Sequence, residues 1–338
     1  MKFPKFVSLV VISTLLFVLI VSVSAPALAQ SRKGGNGWSL DPNSEFYVPK
    51  ANHGAKVQFA ELTSSGLKDD AKSIMQMIRT PQAVWFTGES PHKTQQDVNN
   101  TVKRAAGKGT IPILVAYNIP FRDCAQFSAG GATTVQEYTD WIDGFAAGIG
   151  DEMAIVILEP DGLGIIPWYT NLDGYMDWCQ PNEANPETAA AERFFMLNYA
   201  VDALKAKPHV SVYLDATHNG WLNVGQAANR LAQAGVERAD GFYLNVSNYQ
   251  FTSNLIKYGT WVSSCLTYAD FAGCPNQYWN GGEPTGWNGT AMDNYQEWRN
   301  EPYSGDPADL AWNTVGIDWR YEGTVPTTHF VIDTSRNG

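Results

Sequence analysis

Cysteine and histidine are scarce in this sequence, which limits the kinds of metal site that it can build. The 338 residues include four cysteines and five histidines, without a CxxC pair or a cluster of histidines. A zinc site draws its ligands from such clusters, so the sequence argues against one. Loops of the acidic DxDxDG type are also missing, which argues against calcium. We therefore expect a protein without a metal or cofactor.

Two further absences disfavour whole classes of enzyme. No GxSxG turn is present, which weakens the case for a serine hydrolase with a nucleophile elbow. No glycine-rich phosphate turn follows the first predicted strand, which weakens the case for a dinucleotide-binding protein.

Charge is also sparse, and most of it is acidic. Charged residues make up 17% of the chain, and 34 acidic residues against 23 basic ones give a formal net charge of -11. Such a chain has no electrostatic attraction to nucleic acid or to anionic lipid. Aromatic residues, by contrast, are abundant, with 12 Trp and 15 Tyr. Their rings fill cores and also form the flat apolar platforms on which sugars stack.

Only one hydrophobic run approaches the length of a membrane span, and it lies at the start of the chain. Two lysines precede an apolar run over residues 6–23, and residues 27–29 (ALA) offer the small side chains of a cleavage site. This pattern predicts a signal peptide over residues 1–29, with a membrane-anchoring helix as the alternative. We expect a secreted, extracellular protein, free of the membrane after cleavage, with a short leader over residues 30–45.

Secretion makes the four cysteines candidates for disulfides, because oxidising compartments allow these bonds to form. The cysteine count is even, as a complete set of disulfides requires. Their order along the chain favours Cys124–Cys179 and Cys265–Cys274, although four cysteines permit three connectivities.

Short apolar runs alternate with helical patterns through the body of the chain. The runs are rich in Val, Ile and aromatic residues and are apolar on both faces, as buried parallel strands are. Between them apolar residues recur at helical spacing, as in Tyr138, Ile142 and Phe145. Repeated βα units predict an α/β fold, a parallel β/α barrel, with a doubly wound open sheet as second choice. The predicted strands are residues 83–86, 111–116, 155–158, 210–214, 241–244 and 330–332.

Polar residues follow the predicted strands, at the rim where barrel enzymes keep their chemistry. Asp123, Asp161 and Asp215 follow the second, third and fourth strands, and Asn245 and Asp333 follow the last two. Helix capping is the alternative use of such residues, and we expect one of these aspartates to be a cap. Three carboxylates at three consecutive strand ends favour a site for acid–base hydrolysis, above all of glycosidic bonds.

Six motifs follow one another along the chain. They are residues 85–88 (WFTG), 117–124 (YNIPFRDC), 155–161 (IVILEPD), 215–221 (DATHNGW), 245–249 (NVSNY) and 333–338 (DTSRNG). In this order they resemble glycoside hydrolase family 6, a family of inverting cellulases. The resemblance starts near residue 46 and implies a catalytic domain over residues 46–338. It implies a distorted TIM-like barrel of seven strands, no cofactor or metal, and cellulose or another β-1,4-glucan as substrate.

The resemblance also implies a role for each matching catalytic residue. Asp161 matches the general acid that protonates the leaving oxygen, and Asp123 matches a partner whose charge raises the pKa of Asp161. Tyr117 matches the tyrosine beneath the distorted sugar ring at the cleavage point. Ser128 matches a mobile loop that places the attacking water, with a simple loop residue as an equal alternative. Asp215 matches a further acid with a structural or substrate-orienting role.

Four more residues match substrate-binding positions of the family. Trp221 matches a ring that stacks on glucose, and His218 matches a sugar contact close to it. Trp85 is a second candidate platform, and Asn248 is a weaker hydrogen-bonding candidate. Core packing is the alternative for both tryptophans, and a satisfied rim histidine is the alternative for His218.

Two features depart from the family. Residues 265–328 lack regular periodicity and are rich in Trp, Gly, Pro and Asn, and we expect them to extend or cover the substrate groove. The sequence ends at Gly338, after the sixth predicted strand, whereas the barrel of the family continues. We therefore expect a catalytic domain without its last strand and without the base that the family carries there. Replacement of that base by residues 265–328 is the alternative.

Three functions are compatible with these observations. The first is a secreted, monomeric, inverting endo-β-1,4-glucanase, because residues 117–120 (YNIP) and 128–131 (SAGG) resemble the endo-acting branch of the family. An exo-acting cellobiohydrolase of the same family is the close second. A catalytically incomplete carbohydrate-binding fragment is the third.

Overall fold

Six parallel strands form one sheet in a computed structural model of the protein. The structure describes residues 40–41, 43–269, 271, 274 and 326–336. All six predicted strands are confirmed, with small shifts at their ends. They are β1 Val84–Phe86, β2 Ile113–Ala116, β3 Ala154–Leu158, β4 Val210–Asp215, β5 Gly241–Leu244 and β6 His329–Ile332.

The order of the strands distinguishes the two predicted architectures. A doubly wound sheet reverses its order at a switch point, whereas a barrel places each new strand beside the previous one. The observed order, β1-β2-β3-β4-β5-β6, contains no reversal, and every neighbouring pair is parallel. The β/α barrel is therefore confirmed over the doubly wound sheet. Within the described residues β1 and β6 form the edges of the sheet, and the barrel is not closed.

β3 is buried along its whole length because both of its faces are covered. Successive side chains of a strand point to opposite faces of the sheet. Ala154, Val156 and Leu158 pack into the large core that also contains the helices. Ile155 and Ile157 pack on the other face, within a smaller cluster that includes residues from β2 and β5. This two-sided burial explains why the run is apolar at every position.

Helices connect the strands and cover the outer face of the sheet. The predicted helical pattern of Tyr138, Ile142 and Phe145 is confirmed, because all three are buried on one helix. A short 3-10 helix, Arg122–Ala125, follows β2. The α-helices are α1 His53–Ser64, α2 Lys68–Arg79, α3 Pro91–Ala106, α4 Val135–Ile149, α5 Ala189–Lys205, α6 Val224–Gln233 and α7 Thr252–Tyr268.

Side-chain caps fix the starts of four helices, and none of these caps is an aspartate. Asn52, Ser90, Thr134 and Asn223 each accept a backbone N–H at the first turn of a helix. No strand-end aspartate caps an α-helix in the part of the chain that the structure describes. None of Asp123, Asp161 and Asp215 is therefore the helix cap that we expected among them.

Both predicted disulfides are present, and no described cysteine is free. Cys124–Cys179 joins the 3-10 helix after β2 to the segment between β3 and α5. Cys265–Cys274 joins the last turns of α7 to the residues that follow it. The first bond therefore tethers the segment that carries Asp123.

Several predictions fall on parts of the chain that the structure does not describe. The signal peptide predicted over residues 1–29 lies outside the described residues. So do most of the predicted leader, residues 30–45, and most of the aromatic-rich stretch, residues 265–328. Among the helices that are described, none has the length and apolar composition needed to cross a membrane.

Candidate active site

The carboxyl ends of β2, β3 and β4 bring the main candidate residues together. Tyr117 follows β2, Asp161 lies beyond the end of β3, and Asp215 is the last residue of β4. The charge of Asp123 acts on Asp161, and the charge of Asp161 acts in turn on Asp215. Both Asp161 and Asp123 act on Tyr117. The sequence prediction that these side chains share one rim therefore agrees with their placement.

Asp161 has the electrostatic properties of a general acid. Burial of its carboxyl raises its pKa from 3.8 to about 6, and the negative charge of Asp123 contributes further in the same direction. The family resemblance implies that the neighbouring aspartate raises this pKa, whereas burial is the larger cause. A carboxyl with this pKa keeps its proton in mildly acidic solution, where an ordinary aspartate has lost it.

Asp123 is held by the loop that follows it. Its Oδ2 accepts the backbone N–H of Ser128 at 2.7 Å. The Ser128 side chain also interacts with the Tyr117 hydroxyl. Gly130 and Gly131, at the end of this loop, both have positive φ angles. Ser128 is exposed but lies in the cluster of candidate residues, so the structure places it at the site.

Arg122 is a site residue that the sequence argument did not single out. Its Nε donates to the Ser128 carbonyl at 2.7 Å, and its Nη1 donates to the carbonyls of Tyr117 and Thr87 at 2.7 and 2.8 Å. The guanidinium also lies over the ring of Tyr117, 4.8 Å from its centroid. Arg122 thereby ties the loop to the ends of β1 and β2. Its position directly before Asp123 was the available signal.

Tyr117 and Trp85 form an aromatic pair at the ends of β1 and β2. Their rings meet edge to face, with centroids 5.6 Å apart. Tyr117 is buried, and burial together with the charges of Asp161 and Asp123 raises its pKa to about 12. Trp85 is 41% exposed, so part of its indole is open to a ligand. The pair offers an apolar surface beside the acids.

Asp215 joins β4 to the turn after Asp161. Its Oδ1 accepts the N–H of Thr217 at 2.7 Å, and its Oδ2 accepts the N–H of Leu163 at 3.4 Å. The carboxyl is buried, and burial and the charge of Asp161 raise its pKa to about 7. These contacts agree with the structural role predicted for Asp215.

The other predicted sugar-binding residues lie on the loops after β4 and β5. His218 is buried, its Nδ1 accepts the N–H of Gly220, and burial lowers its pKa to about 4. Its ring centroid lies 5.8 Å from that of Trp221, which is half-buried against the core. Asn248 is half-buried, and its side chain donates to the Val246 carbonyl at 3.1 Å. Within the described residues, none of these three side chains hydrogen-bonds to Asp123, Asp161 or Asp215.

Glu159 is a second residue whose role the sequence argument missed. It is fully buried, and its carboxylate accepts the N–H groups of Asn118 and Ile119 at 2.9 and 3.0 Å. Burial raises its pKa to about 7. Glu159 therefore links the start of the turn that carries Asp161 to the segment that leads to Asp123.

The buried carboxyls make stability depend on pH. Asp161, Asp215 and Glu159 have folded-state pKa values above their ordinary ones, so folding favours their protonated forms. Their contribution is fully present below about pH 4 and is lost as the pH rises towards 7. We expect Asp215→Asn, which stays neutral, to reduce this loss by on the order of 1–3 kcal/mol. Urea unfolding between pH 4 and 8 measures the effect, and an unchanged pH dependence would contradict it.

Metal ligands are not grouped in the described part of the chain. No set of three or more His, Cys, Asp or Glu side chains is placed there to hold a metal ion. The three strand-end aspartates interact through their charges and through backbone N–H groups. This arrangement is suited to proton transfer.

Known proteins with similar sequences include both endoglucanases and cellobiohydrolases. Endoglucanase A of Thermobispora bispora is 33% identical over 247 residues, which cover 72% of this chain and 50% of that protein. Probable 1,4-beta-D-glucan cellobiohydrolase C of Neosartorya fischeri is 28% identical over 295 residues, covering 81% of this chain and 53% of that protein. The chain spans about half the length of the curated endoglucanases that it matches.

A solved structure agrees with the fold. Endoglucanase Cel6 from Mycobacterium tuberculosis is 32% identical, with a TM-score of 0.57, and the match covers 67% of this chain and 70% of that one. The sequence model of glycosyl hydrolases family 6 matches residues 42–338, which contain all six strands and every candidate residue. This chain therefore belongs to glycosyl hydrolases family 6.

Proposed function

We propose that this chain is an inverting endo-β-1,4-glucanase that hydrolyses internal bonds of cellulose, with Asp161 as its general acid. The observation that carries the proposal is the placement of Asp123, Asp161 and Asp215 after or at the carboxyl ends of three neighbouring strands, where burial and the charge of Asp123 raise the pKa of Asp161 to about 6. The endoglucanase names of the relatives support the endo mode. The Mycobacterium tuberculosis enzyme was solved in complex with methyl-cellobiosyl-4-deoxy-4-thio-beta-D-cellobioside, which supports a β-glucan as substrate.

The chemistry follows from the placement of the acid. A sugar alkoxide is a poor leaving group, so the glycosidic oxygen must receive a proton as its bond to the anomeric carbon breaks. Protonated Asp161 supplies that proton. A water molecule attacks the anomeric carbon from the opposite face and passes its own proton to a base, a role that none of the residues described above is assigned. Asp123 disfavours the loss of the proton from Asp161, and through Ser128 it holds the adjoining loop in place. Tyr117 and Trp85 provide the apolar surface for the sugar ring.

Inversion predicts the anomer that forms first. An inverting site separates its acid and base by roughly 6.5–9.5 Å to admit a water, against about 5–5.5 Å in a retaining site. We expect the fresh product of a β-linked cello-oligosaccharide to be the α-anomer, which then mutarotates. Proton NMR during the first minutes of reaction measures this, and a first product with β configuration would overturn the inverting assignment.

An exo-acting cellobiohydrolase is the second candidate, favoured by the relatives that carry this name. The two modes differ in how quickly they shorten a polymer. With carboxymethylcellulose, an endo enzyme lowers the viscosity early, while few reducing ends have formed. A viscosity that falls only in proportion to released sugar would favour the exo mode. Binding without release of sugar would instead indicate a carbohydrate-binding fragment.

Secretion as a monomer completes the proposal. The two disulfides agree with an oxidising compartment outside the cytosol. Recovery of the expressed protein from the culture medium, cleaved after residue 29, tests the secretion. Its mass in solution tests the monomer.

A further inference from the structure

The turn that carries Asp161 has an unusual backbone. Glu159 and Asp161 have φ angles of 51° and 63°, in the left-handed region that residues with a Cβ rarely adopt. Such conformations persist only where the surrounding structure holds them. Within the turn, the N–H of Gly162 donates to the carbonyl of Glu159 and the N–H of Ile165 donates to the carbonyl of Asp161, both at 2.8 Å. The remaining carbonyls of the turn need other partners.

Arg193, on α5, supplies the first of these partners. The side chain is 1% exposed, although arginine is among the residues least often buried. Its Nη1 donates to the carbonyls of Gly162 and Ile165 at 2.7 and 2.6 Å. Its Nη2 donates to the carbonyl of Pro120 at 2.7 Å. Arg193 thus joins the turn after β3 to the segment that leads to Asp123.

Arg230, on α6, supplies the second partner from the other side. This side chain is 2% exposed, and its Nη1 donates to the carbonyls of Leu163 and Gly164 at 2.9 and 3.4 Å. Its Nη2 pairs with Asp177 at 2.8 Å, and its guanidinium lies 4.7 Å from the ring centroid of Tyr169. These contacts fix the orientation of the guanidinium.

The two arginines together hold four successive carbonyls, those of residues 162–165. On the amide side, Asp215 accepts the N–H of Leu163. Burying a guanidinium has a large desolvation penalty. An apolar side chain of similar volume at the same position often stabilises a fold just as much. Two buried arginines on one turn therefore point to a role in geometry more than in stability.

We propose that Arg193 and Arg230 are positioning residues for Asp161, which hold its strained turn so that the carboxyl stays at the rim in a partly desolvated setting. This inference rests on the proposed function, because it takes Asp161 to be the acid. Neither arginine acts on the substrate directly. Each acts through the backbone that carries Asp161.

Replacement by lysine tests the proposal, because Arg193→Lys and Arg230→Lys keep the charge but lose the fork of the guanidinium. In that fork Nη1 binds two carbonyls of the turn while Nη2 binds the Pro120 carbonyl (Arg193) or Asp177 (Arg230). We expect kcat for an unactivated cello-oligosaccharide to fall about 100-fold, since a small displacement of a catalytic group has effects of this size. With an activated leaving group, which needs no proton, kcat is expected to fall less than about five-fold, because only acid catalysis is impaired. KM is expected to stay close to that of the wild type.

The matched control is Arg238→Lys, because Arg238 is exposed and pairs with Asp202 and Glu237 at the surface. We expect it to leave both rates unchanged. Equal losses with the two leaving groups would overturn the proposal, because a general structural defect has that signature. If the lysine variants do not fold, Asp177→Asn serves instead, because it removes only the ion partner of Arg230. We expect its loss of kcat to depend on the leaving group in the same way but to be smaller.

A second measurement needs no substrate. Carbon-13 NMR of labelled aspartate carboxyls follows the pKa of Asp161 in the resting protein. In Arg193→Lys we expect this pKa to fall, because a released carboxyl gains water while the charge of Asp123 remains. An unchanged pKa would overturn the proposal. If the wild type cleaves neither substrate, the proposed function fails, and the NMR result alone decides the positioning role.

Discussion

Asp161→Asn is expected to lower kcat for unactivated cello-oligosaccharides by a factor on the order of 10²–10⁴, the usual contribution of a general acid. Asparagine matches the shape of aspartate but has no proton to donate to the leaving oxygen. A substrate whose leaving group needs no proton is expected to lose much less. Steady-state rates on the two substrates measure the difference.

The control for this substitution is Asp151→Asn. Asp151 is exposed and lies before β3, at the opposite end of the strand from Asp161. We expect it to leave both rates unchanged. If Asp161→Asn slows both substrates equally, or neither, then Asp161 is not the acid.

A related substitution, Asp123→Asn, tests the electrostatics of the acid. Because the charge of Asp123 raises the pKa of Asp161, its removal is expected to lower that pKa. Asp161 then loses its proton at lower pH, and the alkaline limb of the rate profile moves towards acid. A profile that keeps its alkaline limb in place would show that Asp123 acts only through the loop.

Removal of the Cys124–Cys179 bond is expected to lower the free energy of unfolding by about 4 kcal/mol, from the chain entropy of its closed loop. Its cysteines are 55 residues apart in sequence. The bond also tethers Cys124, the neighbour of Asp123, so we expect activity to fall with stability. Urea unfolding of the Cys124→Ser/Cys179→Ser variant under oxidising conditions measures the stability effect.

The second disulfide provides an internal comparison. Cys265 and Cys274 are only 9 residues apart, so their replacement is expected to lower the free energy of unfolding by about 2.5 kcal/mol. This change leaves the segment around Asp123 untouched, and we expect it to leave activity largely intact. A larger loss of activity from removing Cys265–Cys274 than from removing Cys124–Cys179 would contradict the assignment of the first bond to the site.

The strands and the main acids were predictable because local patterns specify them. β3 is apolar at every position because both of its faces are buried, and that property is visible in any stretch of sequence. Asp161 and Asp215 were found because the carboxyl ends of parallel strands meet at one rim. The parallel topology places these strand ends together whatever their separation in sequence.

Arg193 and Arg230 could not be predicted in this way. Arg193 lies on α5 between Glu192 and a run of large apolar residues, and Arg230 lies on α6 among mostly small and polar ones. A charged side chain on a surface helix usually faces solvent, so neither sequence indicates burial. Only the packing of α5 and α6 against the turn after β3 brings the two guanidinium groups to the carbonyls of residues 162–165. The same limit applies to the pKa of Asp161, because burial, its larger cause, depends on residues remote in sequence.

The sequence by itself thus determined the strand runs, the family and the residue types at the rim, because these depend on local composition and on a repeated βα order. The tertiary structure decided which groups hold those residues. It showed burial as the main cause of the raised pKa of Asp161, Arg122 as the tie of the loop that follows Asp123, and two buried arginines on the turn that carries Asp161. The physical reason is that desolvation and hydrogen bonding depend on contacts between distant segments, which exist only once the chain has folded.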